Sequence, residues 1–82
     1  MFTVIWSPSA SGEYAGFILT SIDRAIEIEN AGYDINDKLE VNPTGYGQHI
    51  REGIWRISSG PIVAIYSIED KTVTIDGLGW IG

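Results

Sequence analysis

The stretch from Arg51 to Gly77, REGIWRISSGPIVAIYSIEDKTVTIDG, places the tightest constraint on how this chain folds. It holds three short runs rich in β-branched and aromatic residues, Ile54 to Ser58, Ile62 to Ile68 and Thr72 to Ile75, the residue types that fit a pleated, half-buried surface. Ser58-Ser59-Gly60-Pro61 and Glu69-Asp70-Lys71 separate the runs with turn chemistry. Three strands joined by connections this short form an antiparallel meander. In the last run Val73 and Ile75 point one way while Thr72, Thr74 and Asp76 point the other, the alternation of a sheet with one buried face and one wet one. The middle run is apolar on both sides, with Ile62, Ala64, Tyr66 and Ile68 against Val63 and Ile65, so it belongs in the sheet interior.

The residues before the meander supply the cover for it. Phe2 to Trp6 alternates Phe2, Val4 and Trp6 against Thr3 and Ile5 and reads as a first strand, which Ser7-Pro8 ends while starting a helix. From Ser9 to about Leu19, Ala10, Tyr14, Phe17 and Ile18 share a helical face. Gly12 and Gly16 each weaken that helix by about 1 kcal/mol relative to Ala. Thr20 or Ser21 caps a second helix, with Asp23 in the first turn where the dipole favours negative charge. Ala25, Ile28, Ala31, Gly32, Ile35 and Leu39 form its core stripe, opposite a wet face of Asp23, Glu27, Asn30, Asp34 and Asp37. Ile22, Ile26 and Tyr33 make a further strip that would pack on the first helix in a helical hairpin. Asn42-Pro43 stops the second helix, and residues 43 to 50, PTGYGQHI, form a loop back to the sheet. The result is one α+β domain over 1–82, in the order β-α-α-β-β-β, with a helical hairpin on one face of the meander. Strand one joins this sheet either at an edge or between other strands.

Composition narrows the function classes. Hydrophobic residues at 44% and charged residues at 20% describe a globular chain. The absence of cysteine excludes disulfides, thiolate metal sites and cysteine nucleophiles. The N-terminus carries neither a basic flank nor an apolar run of spanning length, so no signal peptide or membrane segment is expected and the cytoplasm is the default location. Five Lys and Arg against eleven Asp and Glu give a net charge of −6, which opposes approach to a phosphate backbone unless a local basic patch intervenes.

Several residues carry candidate chemistry. His49, the only histidine, lies two residues from Arg51 and either shuttles a proton near neutral pH beside a phosphate-holding arginine or is a solvated loop residue. Arg51 and Arg56 either make a small anion site, since guanidinium grips phosphate in a two-pronged geometry, or pair with Glu52 or another carboxylate. Tyr66 stacks a base if it faces the open side of the sheet, and is a packing residue otherwise. Gly45-Tyr46-Gly47 lacks the lysine and following helix of a phosphate loop and reads as a turn. The acidic face of the second helix either attracts a basic partner or is simply solvated, and Asp34 with Asp37 is too poor in oxygen ligands for a metal. No cofactor is expected. Ile22, Ile26, Tyr33 and Trp80 are the apolar residues that the core accounts for least well, and so are candidates for partner binding.

The element order, together with Asp23-Arg24-Ala25, Leu39-Glu40-Val41-Asn42-Pro43, Gly47 and Arg51-Glu52-Gly53, resembles the RelE/ParE toxin superfamily. Trp55-Arg56-Ile57, the run from Gly60 to Ile68 and the run from Asp70 to Ile75 are similar to the three C-terminal strands of that family. The resemblance implies a toxin neutralised by a cognate antitoxin, with ribosome-bound messenger RNA the target of RelE-like members and DNA gyrase that of ParE-like ones. On the nuclease branch, Arg51 and Arg56 match basic positions of the loop and first meander strand. Pro61 and Ile62 stand where RelE-like nucleases often carry an arginine, and no basic or tyrosine-bearing tail precedes Gly82. The expectation is a toxin-type protein acting mainly through protein contacts with a weakened or absent ribonuclease centre. The alternatives are an active ribosome-dependent endoribonuclease using His49, Arg51, Arg56 and Tyr66, and a small acidic interaction domain.

Overall fold

A computed structural model describes residues 1–82. The elements run β1 (Thr3–Trp6), α1 (Pro8–Thr20), a 3₁₀ turn (Ile22–Arg24), α2 (Ala25–Val41), α3 (Pro43–Tyr46), β2 (Gln48–Arg51), β3 (Ile54–Ser59), β4 (Ile62–Glu69) and β5 (Thr72–Trp80). The strands form one five-stranded sheet in the order β1-β5-β4-β3-β2. Strands β2 to β5 are an antiparallel meander, and β1 adds at the edge beside β5 in parallel. A parallel neighbour needs a long crossover, and the helical pair is part of it. As the two-sided apolar pattern of Ile62 to Ile68 requires, β4 lies in the interior of the sheet.

The core lies between the helices and one face of the sheet. Ile28, Ile35 and Leu39 of α2 are fully buried with Ile57, Ile62, Ala64, Tyr66, Val73 and Ile75 from the strands, and α1 contributes Ala10. Tyr14, Phe17 and Ile18 are partly buried against that cluster. Ser7 caps α1, its Oγ accepting from the Ala10 N–H at 3.1 Å, with Pro8 at the first turn where its missing donor costs nothing. Across the sheet edge, the Trp6 indole N–H donates to Asn36 Oδ1 at 3.0 Å and ties β1 to α2.

Five expectations are corrected. Residues 43 to 50 are not a loop: Pro43–Tyr46 is a short helix capped by Asn42, and Gln48–Arg51 is an edge strand whose four residues are all exposed. Such a strand has no buried alternation to betray it, and it is held by its pairing with β3. The last strand does not stop at Ile75. A bulge beyond Ile75 resets the alternation, so that Leu78 rejoins Ala64 and Trp80 rejoins Ile62. Along this stretch β1 has ended, and α1 serves the exposed strand edge instead, Glu13 Oε1 accepting from the Leu78 N–H at 2.8 Å. Neither Thr20 nor Ser21 caps the second helix. The Thr20 hydroxyl donates back to Gly16 O at 2.9 Å, and the chain passes through the 3₁₀ turn before α2 begins at Ala25. Asp34 is not on the wet face but half-buried, accepting from the Ser59 hydroxyl at 2.7 Å. Finally, the helical hairpin forms, yet Ile22, Ile26 and Tyr33 stay outside it, exposed at 69%, 75% and 66%.

Candidate functional site

The candidate catalytic residues sit around the β2–β3 hairpin. Its turn, Glu52-Gly53, uses Gly53 at φ +75°, a left-handed conformation that glycine adopts without steric cost. The register sets Gln48 opposite Arg56, His49 opposite Trp55 and Arg51 opposite Ile54, with a shift between His49 and Arg51. In the next pair Trp55 faces Tyr66 and Arg56 faces Ile65. Directly paired residues share a face of the sheet, so His49, Trp55 and Tyr66 lie on the helix side. Gln48, Arg56 and Ile65 lie on the uncovered side, and Arg51, paired with Ile54, belongs with them. The sheet therefore separates the four candidate residues into two pairs.

Both residues on the helix side are engaged with neighbouring groups of the chain. The His49 ring packs on Trp55 with centroids 4.8 Å apart and planes inclined at 55°. Tyr66 is fully buried, and its hydroxyl donates to the Pro43 carbonyl at 2.6 Å. Burial pushes its phenol up to about 12, so it keeps its proton at neutral pH. A side chain with no exposed surface has no π face to offer a base, so of the two roles the sequence left open for Tyr66 the structure shows packing, with a tether to Pro43. It pins α3 and the following Gly47 against the sheet.

On the uncovered side the two arginines are free of carboxylates. The ion pairs of the protein are Arg24 with Glu27 and Lys38 with Asp34, and Glu52 pairs with neither Arg51 nor Arg56. Beside Arg56 lies a polar concavity of about 220 Å³ that also involves Lys38, Tyr46, Gln48 and Ser58. Lys38 Nζ sits 5.6 Å from the Tyr46 ring centroid and 3.0 Å from Asp34 Oδ2. Asp34 in turn is held below the usual carboxylate range, first by the Ser59 hydroxyl and then by Lys38. A guanidinium, an ammonium, an amide and a hydroxyl around one hollow can hold an oxyanion. Tyr66 is buried and His49 lies on the other face of the sheet, so neither lines this hollow. Lys38, Tyr46, Gln48 and Ser58 were missed from sequence, because only the register of β2 brings Gln48 beside Arg56.

The four partner-binding candidates divide as well. Ile22, Ile26 and Tyr33 are exposed on the 3₁₀ turn and the outward side of α2. Trp80 is engaged by its own chain: its ring meets Phe17 at 5.4 Å, and the Arg24 guanidinium lies 5.0 Å from its centroid.

No protein-family model matches the sequence, and no curated protein matches it. Two solved structures match the fold over almost their whole length. A chain of the chromosomal ParDE TA system from P. aeruginosa is 15% identical, with 100% of this chain and 98% of that one covered and a TM-score of 0.72. The fold is RelE/ParE toxin-like. A chain of the toxin–antitoxin complex RelBE2 from Mycobacterium tuberculosis is 19% identical, with 96% of each chain covered and a TM-score of 0.60. Both likenesses run through β1, the helical hairpin and the meander, so the RelE/ParE-like architecture describes the entire chain. No helix is long and apolar enough to cross a membrane.

Proposed function

We propose that this chain is the toxin-type member of a toxin–antitoxin pair, cytoplasmic, and acting through protein contacts and not by cutting RNA. The observation that carries the proposal is the fold itself, similar along 100% of the chain to a component of a ParDE system. The absence of catalysis is supported by the split of His49 and Tyr66 from Arg51 and Arg56 across the sheet. Contact-based action is supported by the exposed strip of Ile22, Ile26 and Tyr33 on a chain of net charge −6, which draws a basic partner to an apolar surface. A cognate antitoxin is the partner this predicts.

A second reading, a ribosome-dependent endoribonuclease, is favoured by Arg51 and Arg56, neither of which pairs with a carboxylate, and by the polar hollow beside Arg56. One experiment tests the toxin–antitoxin pairing on which both readings rest: induction in a bacterium with and without the product of the adjacent gene. Under the proposal, growth slows on induction, recovers with the neighbour, and the two proteins co-purify. Failure of both effects would remove the proposal.

A further inference from the structure

A second concavity, of about 390 Å³, opens between α1 and α2 and is lined by Trp6, Ser11, Tyr14, Gly32, Tyr33 and Asn36. The Trp6 and Tyr14 rings meet at 5.6 Å with planes inclined at 57°, giving two aromatic walls that are not parallel, and Tyr33 adds a third ring from α2. These walls are held. The Trp6 indole N–H is spent on Asn36 Oδ1, so what Trp6 has left to offer is its π system. Tyr14 lies so close to α2 that a Cβ on Gly32 would come within 2.7 Å of its ring. Burial, then the negative charge of Glu29, pushes the Tyr14 phenol upward, so this wall of the hollow keeps its proton at neutral pH.

Aromatic faces carry negative electrostatic potential and attract cations seated over them. No cation of this chain fills the hollow: Arg24 pairs with Glu27, Lys38 with Asp34, Lys71 sits over Phe2, and Arg51 and Arg56 are on the β2–β3 hairpin. We propose that Trp6, Tyr14 and Tyr33 form a cage for an arginine side chain carried by a basic segment of a partner protein. Guanidinium is planar, weakly hydrated and stacks on aromatic rings, which suits walls that are inclined and partly open. A segment is favoured over a free small cation because Tyr33, one wall of the hollow, is exposed at 66% and has exposed apolar neighbours on α2 and the 3₁₀ turn. Ile26 lies about two turns before Tyr33 on the same side, and Ile22 lies beyond it. A tethered arginine thus gains from apolar contacts that a free cation cannot make, and the net charge of −6 attracts a basic segment. The occupant as a partner segment rests on the toxin–antitoxin reading, whereas the cage chemistry can be tested without any partner.

The test is a nuclear magnetic resonance titration of the whole chain at matched ionic strength. The probes are N-acetyl-arginine methylamide, its uncharged isostere N-acetyl-citrulline methylamide, and tetramethylammonium chloride. The arginine derivative is expected to shift the Trp6 indole N–H and the Gly32 amide, while the citrulline derivative leaves them nearly unmoved. Removing one exposed ring with Tyr33→Ala is expected to weaken that binding about threefold to tenfold, with Tyr33→Phe close to wild type. Equal response to citrulline, shifts at the Trp55 indole as large as at Trp6, tighter binding of tetramethylammonium than of arginine, or indifference to Tyr33→Ala would each overturn the proposal. Arginine in the cage with no protein partner found in cells would sink the toxin–antitoxin reading alone. A partner bound equally by wild type and Tyr33→Ala would sink the cage alone.

Discussion

Tyr66→Phe separates a structural tyrosine from a catalytic one, and its cost follows from the geometry. The change deletes one buried hydrogen bond, hydroxyl to Pro43 carbonyl at 2.6 Å, and leaves the ring in place. The carbonyl is not orphaned, since it also accepts from the Gly47 N–H at 3.3 Å. The loss is therefore the net value of one neutral hydrogen bond, about 1 kcal/mol, and not the larger penalty of a stranded acceptor. For a domain of this size that lowers Tm by about 4–8 °C. Total stability of about 4–12 kcal/mol keeps the variant folded. The hydroxyl has an alkaline signature too. Its folded pKa, raised from 10.0 to about 12 by burial, means that its contribution is fully present below the unfolded value and is lost as pH rises through the folded one. Urea unfolding followed by tryptophan fluorescence, at neutral pH and in steps through the alkaline window, reads both effects. Wild type should lose stability across that window faster than Tyr66→Phe, and the growth effect of the two proteins should be the same. An unchanged midpoint at neutral pH, or a lost growth effect with unchanged stability, would refute the structural role.

Other expectations follow from neighbouring parts of the fold. Leu39 is fully buried under the sheet, so Leu39→Ala should cost about 2–5 kcal/mol in a denaturant titration; a melt indifferent to it would count against the α2 packing. Asp34 has its pKa lowered by Ser59 and Lys38, so its contribution is present above the unfolded carboxylate pKa and lost as pH falls through the folded one. Wild type and Asp34→Asn should accordingly differ most at neutral pH and converge in acid, and a constant gap across the acid range would contradict the assignment. Association with a basic partner should slow markedly as salt rises from tens to hundreds of millimolar, because the Debye length shortens to about 10 Å or less. Association rates indifferent to salt would argue against electrostatic attraction.

Much of the scaffold was legible because burial writes a period into the sequence. Ile28, Ala31, Gly32, Ile35 and Leu39 recur at helical spacing and are the buried residues of α2, and the two-sided apolar run of β4 marked the sheet interior. The misses share one physical cause, structure imposed by a partner element instead of by local propensity. β2 has four exposed residues and exists by pairing with β3. The end of β5 contains Gly77 and Gly79, poor strand formers, and is held by β4 and by Glu13. Asp34 looked like one more wet carboxylate until Ser59 arrived from β3. The candidate site suffered most. Sequence proximity put His49 with Arg51, but the strand pleat and the shift after His49 turn them to opposite faces, and no spacing rule places Trp6 beside Tyr14 and Tyr33.

The central claim is action through contact without RNA cleavage, and messenger integrity during growth arrest tests it most directly. The protein is induced in a bacterium, growth is followed, and the 5′ ends of several abundant messengers are mapped by primer extension in the same culture. Growth should slow while the messengers keep their original ends. New ends inside the coding sequences, appearing with the arrest and abolished by Arg51→Ala or Arg56→Ala, would contradict the account and establish the arginines as a nuclease centre.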